Sequence, residues 1–294
     1  MGRVRISSPD PDVRGCAYLT VTTGKPLIIL VNGHWNRMLN KIGIAPGVGE
    51  KGYWNYFLRH DFETFIRKAQ LFFNDTNYQI APYYIDGSTL FGGDASGSQR
   101  KIKGYKYALE NFKKITKNLG EKKVYIISHS EGCAFAAGVA KCLMEKGVKV
   151  GESIMLAADE GDEFDVEGNY PCYQIVAGWI SNYRELGTLK DKTIFAVDPI
   201  VGDHMVKGVD KYGVYIQGHS MKYVHGGVVD SRIFETFAQL KSVVPRQILN
   251  KDGSISYFAE PDPNQIWHKI NDRYMNNKRI DAFYHNHMKR ERKD

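Results

Sequence analysis

The sequence predicts an α/β fold with a mostly parallel central sheet and helices on both faces. Two continuous apolar runs, residues 26–31 and 124–127, have the composition of strands that are buried on both sides. Between them, residues 53–72 and 99–119 carry apolar side chains at helical spacing. Strands that alternate with helices favour parallel pairing, because each helix crosses one face of the sheet on the way to the next strand.

The strand predictions rest on runs of β-branched, aliphatic and aromatic residues. The first two runs alternate only weakly and predict edge strands, and Pro82 limits the pairing of the fourth. The predicted strands are residues 3–7, 16–22, 26–31, 78–85, 124–127, 153–157, 193–197 and 214–216.

The helix predictions rest on apolar spacing and on alanine content. Residues 171–186 are interpreted as a helix that covers the site as a small lid. The predicted helices are residues 53–72, 99–119, 134–144, 171–186 and 229–240. Gly-rich segments at residues 40–51 and 86–97, and an acidic segment at residues 159–167, predict loops.

The length of the chain favours one domain. Its 294 residues, of which 43% are hydrophobic, are enough for one large core. We therefore predict a single domain over residues 1–294 with a core at about residues 26–240. The polar residues 243–294 are expected to form a C-terminal extension that packs on the domain or trails from it.

The most informative stretch is residues 124–132, Val-Tyr-Ile-Ile-Ser-His-Ser-Glu-Gly, which an Ala-rich helix follows directly. A strand that becomes a helix over so few residues must bend sharply, and the small residues Ser128 and Gly132 let the two elements approach each other. Ser130 at the centre is then strained and exposed at the strand end, as in a nucleophile elbow. The alternative is that Ser130 caps the helix, but Cys133 stands where a capping box would need Glu or Gln.

At these residues the chain resembles the α/β-hydrolase superfamily, with Ser128-His-Ser-Glu-Gly132 in place of G-x-S-x-G. The departure is Ser128, which stands where the family has its first Gly. The resemblance implies ester hydrolysis through an acyl-enzyme, with the triad in the chain order Ser, acid, His.

The same order exists in this sequence, and it assigns Ser130 as nucleophile, Asp198 as acid and His225 as base. Asp198 follows a predicted strand, and His225 precedes the last predicted helix. Alternatives remain open, because Asp203 and Asp162 compete for the acid and His219 competes for the base.

The resemblance also implies an oxyanion hole. One donor would be the backbone N–H of Glu131, and the other that of Gly33 or His34, in the loop after the strand at residues 26–31.

No cofactor is expected, and no metal, because His285 and His287 lack partners at ligand spacing and the acidic loop lacks the full EF-hand pattern.

Composition limits the class of protein and of partner. No apolar window is long enough for a transmembrane helix, and Met1 to Arg5 is not followed by the apolar core of a signal peptide. We therefore expect synthesis in the cytoplasm, which also suits four scattered cysteines. The net charge of +7 is compatible with an anionic membrane surface as a partner, but a solvated basic tail is the favoured explanation, and no nucleic acid is expected.

Within the superfamily, the elbow, the aromatic content and the charge favour a lipase or phospholipase that acts on a lipid or small ester. Similar domains occur as antibacterial lipase toxins, which implies export by a specialised secretion system and an immunity or delivery partner. The alternatives are a thioesterase or acyltransferase with a soluble substrate, and a non-catalytic α/β binding protein.

Overall fold

The computed structural model describes residues 2–7, 16–21, 24–35, 46–88, 96–182, 193–197, 206–216, 224–242, 245–249 and 255–259. The strands within these ranges are β1 (Gly2–Ser7), β2 (Cys16–Val21), β3 (Leu27–Asn32), β4 (Tyr83–Asp86), β5 (Val124–His129), β6 (Val150–Leu156), β7 (Cys172–Asn182), β8 (Thr193–Val197), β9 (Lys211–Ile216), β10 (Pro245–Leu249) and β11 (Ile255–Ala259). The helices are α1 (Glu50–Leu58), α2 (Phe62–Phe73), α3 (Gly97–Glu110), α4 (Phe112–Ile115), α5 (Gly132–Glu145), α6 (Val224–Gly227) and α7 (Ile233–Ser242).

The main sheet is mostly parallel, as predicted. Its order is β10-β11-β9-β7-β6-β5-β3-β4, with β8 paired to β7. The six neighbours from β9 to β4 are all parallel, whereas β8 and β10 pair antiparallel with β7 and β11. β1 and β2 form a separate antiparallel pair. Because the inner strands are parallel, their carboxyl ends meet at one edge of the sheet.

Helices cover both faces of this sheet, which confirms the predicted fold class. Every residue of β3 is buried, and successive side chains point to opposite faces. Leu27, Ile29 and Val31 belong to the apolar cluster that contains α3 and α5 residues. Ile28 and Leu30 belong to the cluster that contains α1, α2 and α7 residues.

The predicted lid helix at residues 171–186 is wrong over the part that the structure describes. Residues 172–182 form β7, a parallel strand between β6 and β9. The segment Ile-Val-Ala-Gly-Trp-Ile is a continuous apolar run, and such a run has no periodicity that separates a buried strand from a buried helix. Its β-branched residues and Gly178 favour the strand that is found.

Two other predicted helices are each divided in two, and one predicted strand is much shorter. The helix predicted at residues 53–72 is two helices, α1 and α2, separated by a 3₁₀ turn at Arg59–Asp61, and Arg59 has a φ of +48°. The predicted strand at residues 78–85 is only β4, which begins just after Pro82. The helix predicted at residues 99–119 is divided at Asn111 into α3 and α4.

The helices α3 and α5 touch backbone to backbone. A Cβ atom placed on Gly138 of α5 would lie 1.9 Å from the carbonyl oxygen of Lys101, and one placed on Gly104 of α3 would lie 2.0 Å from that of Phe135. These two glycines therefore set the distance between the helices. Among the described helices, none is long and apolar enough to cross a membrane.

We predict that Gly138→Ala destabilises the protein by about 2 kcal/mol or more, because the new methyl group collides with backbone rather than with a movable side chain. Chemical denaturation would measure the loss. Lys103→Ala, an exposed change on α3, is the control and should leave the free energy of unfolding nearly unchanged. A Gly138→Ala variant as stable as the wild type would contradict the close packing.

Candidate active site

Ser130 lies in a sharp turn between a central strand and a helix. β5 ends at His129 and α5 begins at Gly132, so only two residues separate the elements. Ser130 has a φ of +57°, in the left-handed region that side chains other than glycine rarely adopt. Its backbone N–H donates to the carbonyl of Leu156 (3.0 Å), and its carbonyl accepts from Cys133 (2.9 Å). The strained turn is therefore held from both sides, as the elbow prediction requires. The predicted exposure of Ser130 is wrong, because the residue is only 4% exposed.

Small residues around the turn make this geometry feasible. Ser128 is fully buried, and its hydroxyl donates to the carbonyl of Ile154 (3.1 Å). A Cβ atom on Gly132 would lie 2.5 Å from the carbonyl oxygen of Asn32. The serine in place of the family's first glycine is thus tolerated, because its hydroxyl finds an acceptor in the core.

The loop after β3 packs directly on Ser130. A Cβ atom on Gly33 would lie 2.5 Å from Cβ of Ser130 and 2.9 Å from its Oγ. Any side chain larger than hydrogen at position 33 would therefore displace the serine. His34 follows in the same loop and is half-buried.

Asp86, the last residue of β4, holds this loop in place. Its carboxylate accepts from Nδ2 of Asn32 (2.8 Å) and from Nε1 of Trp35 (2.8 Å). The Oδ1 atom of Asn32 accepts from the backbone N–H of Glu50 (2.7 Å), at the start of α1. The loop that would supply an oxyanion donor is thus fixed by hydrogen bonds at both of its ends.

His225 lies on α6, beside the elbow. Its backbone carbonyl accepts a hydrogen bond from Nε2 of His129 (2.8 Å), and the two imidazole rings are 4.7 Å apart. Since His129 directly precedes Ser130, the predicted base and the predicted nucleophile belong to one neighbourhood.

Asp159 is a carboxylate near His225 that the sequence analysis missed. It follows β6, and burial, with Glu160 and Glu131 nearby, raises its pKa to about 7, whereas the charges of His225 and Arg100 lower it. The sequence did contain a signal, because Asp159 is the first acidic residue after the strand predicted at residues 153–157. Asp162 of the same loop, named above only as an alternative acid, is exposed.

An ion-pair network surrounds the residue after the nucleophile. Arg100 of α3 donates from Nη1 to Glu131 (2.7 Å) and from Nε to Glu160 (3.2 Å), and its side chain is only 5% exposed. Removal of one partner from so buried a pair leaves an uncompensated charge. The network therefore ties α3 to the turn between Ser130 and α5.

The structure brings some of the predicted site residues together and does not describe others. Ser130, Glu131, Gly33, His34 and His225 are described at or next to the turn. Three predicted residues lie outside the described part of the chain: Asp198, Asp203 and His219. The assignment of the acid to Asp198 thus stays a prediction, as do the roles of the other site residues.

Cys133, a described residue near the turn, does not compete with Ser130 as a nucleophile. Burial raises the pKa of the Cys133 thiol to about 12, so this cysteine is protonated and unreactive at neutral pH. Within the described residues, no group of three or more His, Cys, Asp or Glu side chains could hold a metal ion.

Comparisons with known proteins add little to this geometry. No protein-family model matches the chain, and no curated protein matches its sequence. Solved structures that resemble it include the lin2722 gene product of Listeria innocua, at 10% identity and a TM-score of 0.38, over 74% of this chain and 94% of that one. RedJ, which holds a polyethylene glycol molecule in its active site, has 11% identity and a TM-score of 0.37, over 78% and 95%. An esterase from Pyrobaculum calidifontis has 14% identity and a TM-score of 0.31, over 72% and 76%.

TM-scores this low carry no argument about fold or activity. The fold class rests instead on the chain's own parallel sheet, on helices that cover both of its faces, and on the strand, turn and helix around Ser130. These features are consistent with the predicted α/β-hydrolase fold.

We predict that Asp159→Asn stabilises the protein at pH 8 relative to the wild type. The pKa of Asp159 is about 7 in the folded protein and 3.8 ordinarily, so between these values only the unfolded chain is ionised. The free energy of unfolding of the wild type therefore decreases as the pH rises through this range. The variant does not show this decrease, because Asn has no carboxyl group to ionise. The advantage should be on the order of 4 kcal/mol at pH 8 and should nearly vanish at pH 4.

Thermal or chemical unfolding at the two pH values would measure this difference. Asp162→Asn, an exposed change in the same loop, serves as the control. An Asp159→Asn variant whose advantage does not grow with pH would contradict the raised pKa.

Proposed function

We propose that the protein is a serine hydrolase that cleaves carboxylic esters, with Ser130 as nucleophile and His225 as base. The observation that carries this proposal is the left-handed backbone of Ser130 at the end of a central parallel strand, immediately before a buried helix. A helix cap does not need that strain, and no side-chain capping bond is present at the start of α5. A nucleophile presented to a substrate does need such a turn.

The proposed reaction follows from the groups around the turn. His225 takes the proton of the Ser130 hydroxyl, the serine oxygen attacks the ester carbonyl, and the alcohol leaves with a proton from His225. His225 then activates a water molecule, which releases the acid from the acyl-enzyme and regenerates Ser130.

The negative oxygen of the tetrahedral intermediate requires donors. The backbone N–H of Glu131 lies at the start of α5, where the helix dipole also favours negative charge. The second donor is proposed in the loop after β3, at Gly33 or His34. Each such donor is worth roughly 3 to 4 kcal/mol in transition-state binding.

Two carboxylates compete to orient His225 and to stabilise its charged form. Asp198 has the position in the chain that the α/β-hydrolase resemblance favours. Asp159 interacts electrostatically with His225 in the structure. If Asp159 is the acid, activity must increase as the pH rises through about 7, because its carboxyl must lose a proton first.

The substrate class that we propose is a lipid ester, as in a lipase or phospholipase. Phe57 of α1 packs edge-on against His129, with 5.5 Å between the ring centroids, and Tyr56 next to it is 39% exposed. These rings offer an apolar surface beside the turn, suited to an acyl chain. The net charge of +7 is compatible with binding at an anionic membrane surface.

We predict that folded Ser130→Ala loses at least about 10³-fold in ester hydrolysis, because no other nucleophile replaces its hydroxyl. Hydrolysis of short and long p-nitrophenyl esters and of anionic phospholipid vesicles would measure the loss, and a fluorophosphonate probe should label only proteins that retain Ser130. Ser98→Ala, a serine change at the exposed start of α3, is the control. If Ser130→Ala is as active as the wild type, or if the wild type neither cleaves an ester nor reacts with the probe, the proposal is wrong.

We predict that one of Asp198→Asn and Asp159→Asn lowers kcat by about 10³-fold or more, as loss of a triad acid does. Asp162→Asn should retain activity. A dominant effect at Asp159 places the acid after β6, and one at Asp198 places it after β8. If neither change lowers kcat more than Asp162→Asn does, both assignments are wrong.

A further inference from the structure

Two buried side chains connect α1 to the backbone of His225. The Tyr53 hydroxyl lies 2.5 Å from Nδ1 of His129, and Nε2 of His129 lies 2.8 Å from the carbonyl oxygen of His225. A carbonyl oxygen can only accept, so Nε2 of His129 carries the proton. In the neutral ring Nδ1 is then an acceptor, and the Tyr53 hydroxyl is its donor. The direction of both bonds is therefore fixed.

Burial keeps both side chains neutral. Burial, together with the nearby His225, lowers the pKa of His129 well below its ordinary value. Burial raises the pKa of Tyr53 well above its ordinary value, although the backbone amide of Gly33 opposes this shift. At neutral pH the pair thus holds one arrangement of protons, with Tyr53 close to the loop that packs on Ser130.

The segment at the end of this chain of hydrogen bonds, α6, needs contacts with the rest of the protein to stay folded. α6 comprises only Val224–Gly227, and an isolated helix of one turn is not stable in water. Phe57 packs on the same segment, because a Cβ atom on Gly226 would lie 2.3 Å from its ring. Tyr53 and Phe57 are four residues apart on α1 and so share one face of that helix.

We propose that Tyr53 and His129 are positioning residues, which hold the segment of His225 against the strand that carries Ser130. Neither side chain touches the reacting atoms in this proposal; both act through the backbone of His225. The inference rests on the proposed function, in which His225 is the base.

The first test is Tyr53→Phe, which removes one hydroxyl and little volume. We expect kcat for ester hydrolysis, and the rate at which a fluorophosphonate probe labels Ser130, to decrease by about 10-fold or more, with KM changed less than about 2-fold. Tyr125→Phe is the matched control, because Tyr125 is also buried and its hydroxyl donates to Asp75 (3.0 Å), near the amino end of β5. A purely structural hydroxyl would affect both variants alike, through stability alone.

Substitution of His129 tests the second bond. The amide of Gln can donate to the carbonyl of His225, and Leu cannot. We expect His129→Gln to retain about 10-fold more activity than His129→Leu when both are folded. Equal activity of the two variants would contradict a role for this donor.

Hydrogen exchange separates failure of this proposal from failure of the proposed function. Backbone amides of residues 224–229 should exchange about 10-fold faster in Tyr53→Phe than in the wild type or in Tyr125→Phe, whether or not the protein is an enzyme. If the wild type neither cleaves esters nor reacts with the probe, but exchange in Tyr53→Phe is still faster, the hydrolase proposal is wrong. The proposed positioning of the His225 segment by Tyr53 and His129 would then still stand. If the wild type is active and Tyr53→Phe keeps its kcat, labelling rate and exchange rate, the positioning role of Tyr53 and His129 is wrong, whereas the hydrolase proposal stands.

Discussion

The backbone strain at Ser130 is the constraint on which the site depends. A residue with a side chain rarely occupies the left-handed region, so its neighbours must hold it there. They do so through the carbonyl of Leu156 on the next strand and through the loop after β3, which touches the serine at Gly33. The parallel sheet supplies this frame, because the ends of β3, β5 and β6 meet at one edge.

Helix α1 connects the parts of the site that the sheet alone leaves separate. Its first residue, Glu50, binds Asn32 in the loop after β3. One turn later Tyr53 binds His129, and one turn further Phe57 packs against His129 and Gly226. A single helix thus fixes the loop proposed for oxyanion binding, the strand of the nucleophile and the segment of the base.

The sequence revealed those features that local composition determines. The strand, turn and helix around Ser130 could be predicted, since an apolar run, a small-x-Ser-x-Gly segment and an Ala-rich stretch follow each other directly. The strand β7 could not be predicted, because a continuous apolar run lacks a helical or a strand period. Asp159 was missed for a different reason. Its environment depends on Glu131 and Arg100, which the fold brings from distant parts of the chain to Asp159 and its neighbour Glu160. The hydrogen bonds of Asp86 with the loop after β3, and of Tyr53 with His129, depend on side-chain geometry that residue spacing in the sequence does not predict.

The contact between α3 and α5 has a mechanical consequence for the turn at Ser130. Where helices meet through long side chains, rotamer changes can absorb small displacements. At Gly104 and Gly138 backbone meets backbone, so at these two points no side chain can adjust to absorb a displacement. Arg100 lies one turn before Gly104 and forms an ion pair with Glu131. The two helices and the turn should therefore move as one rigid unit. Motion within the site would then come mainly from the loop after β3 and from the segment of His225.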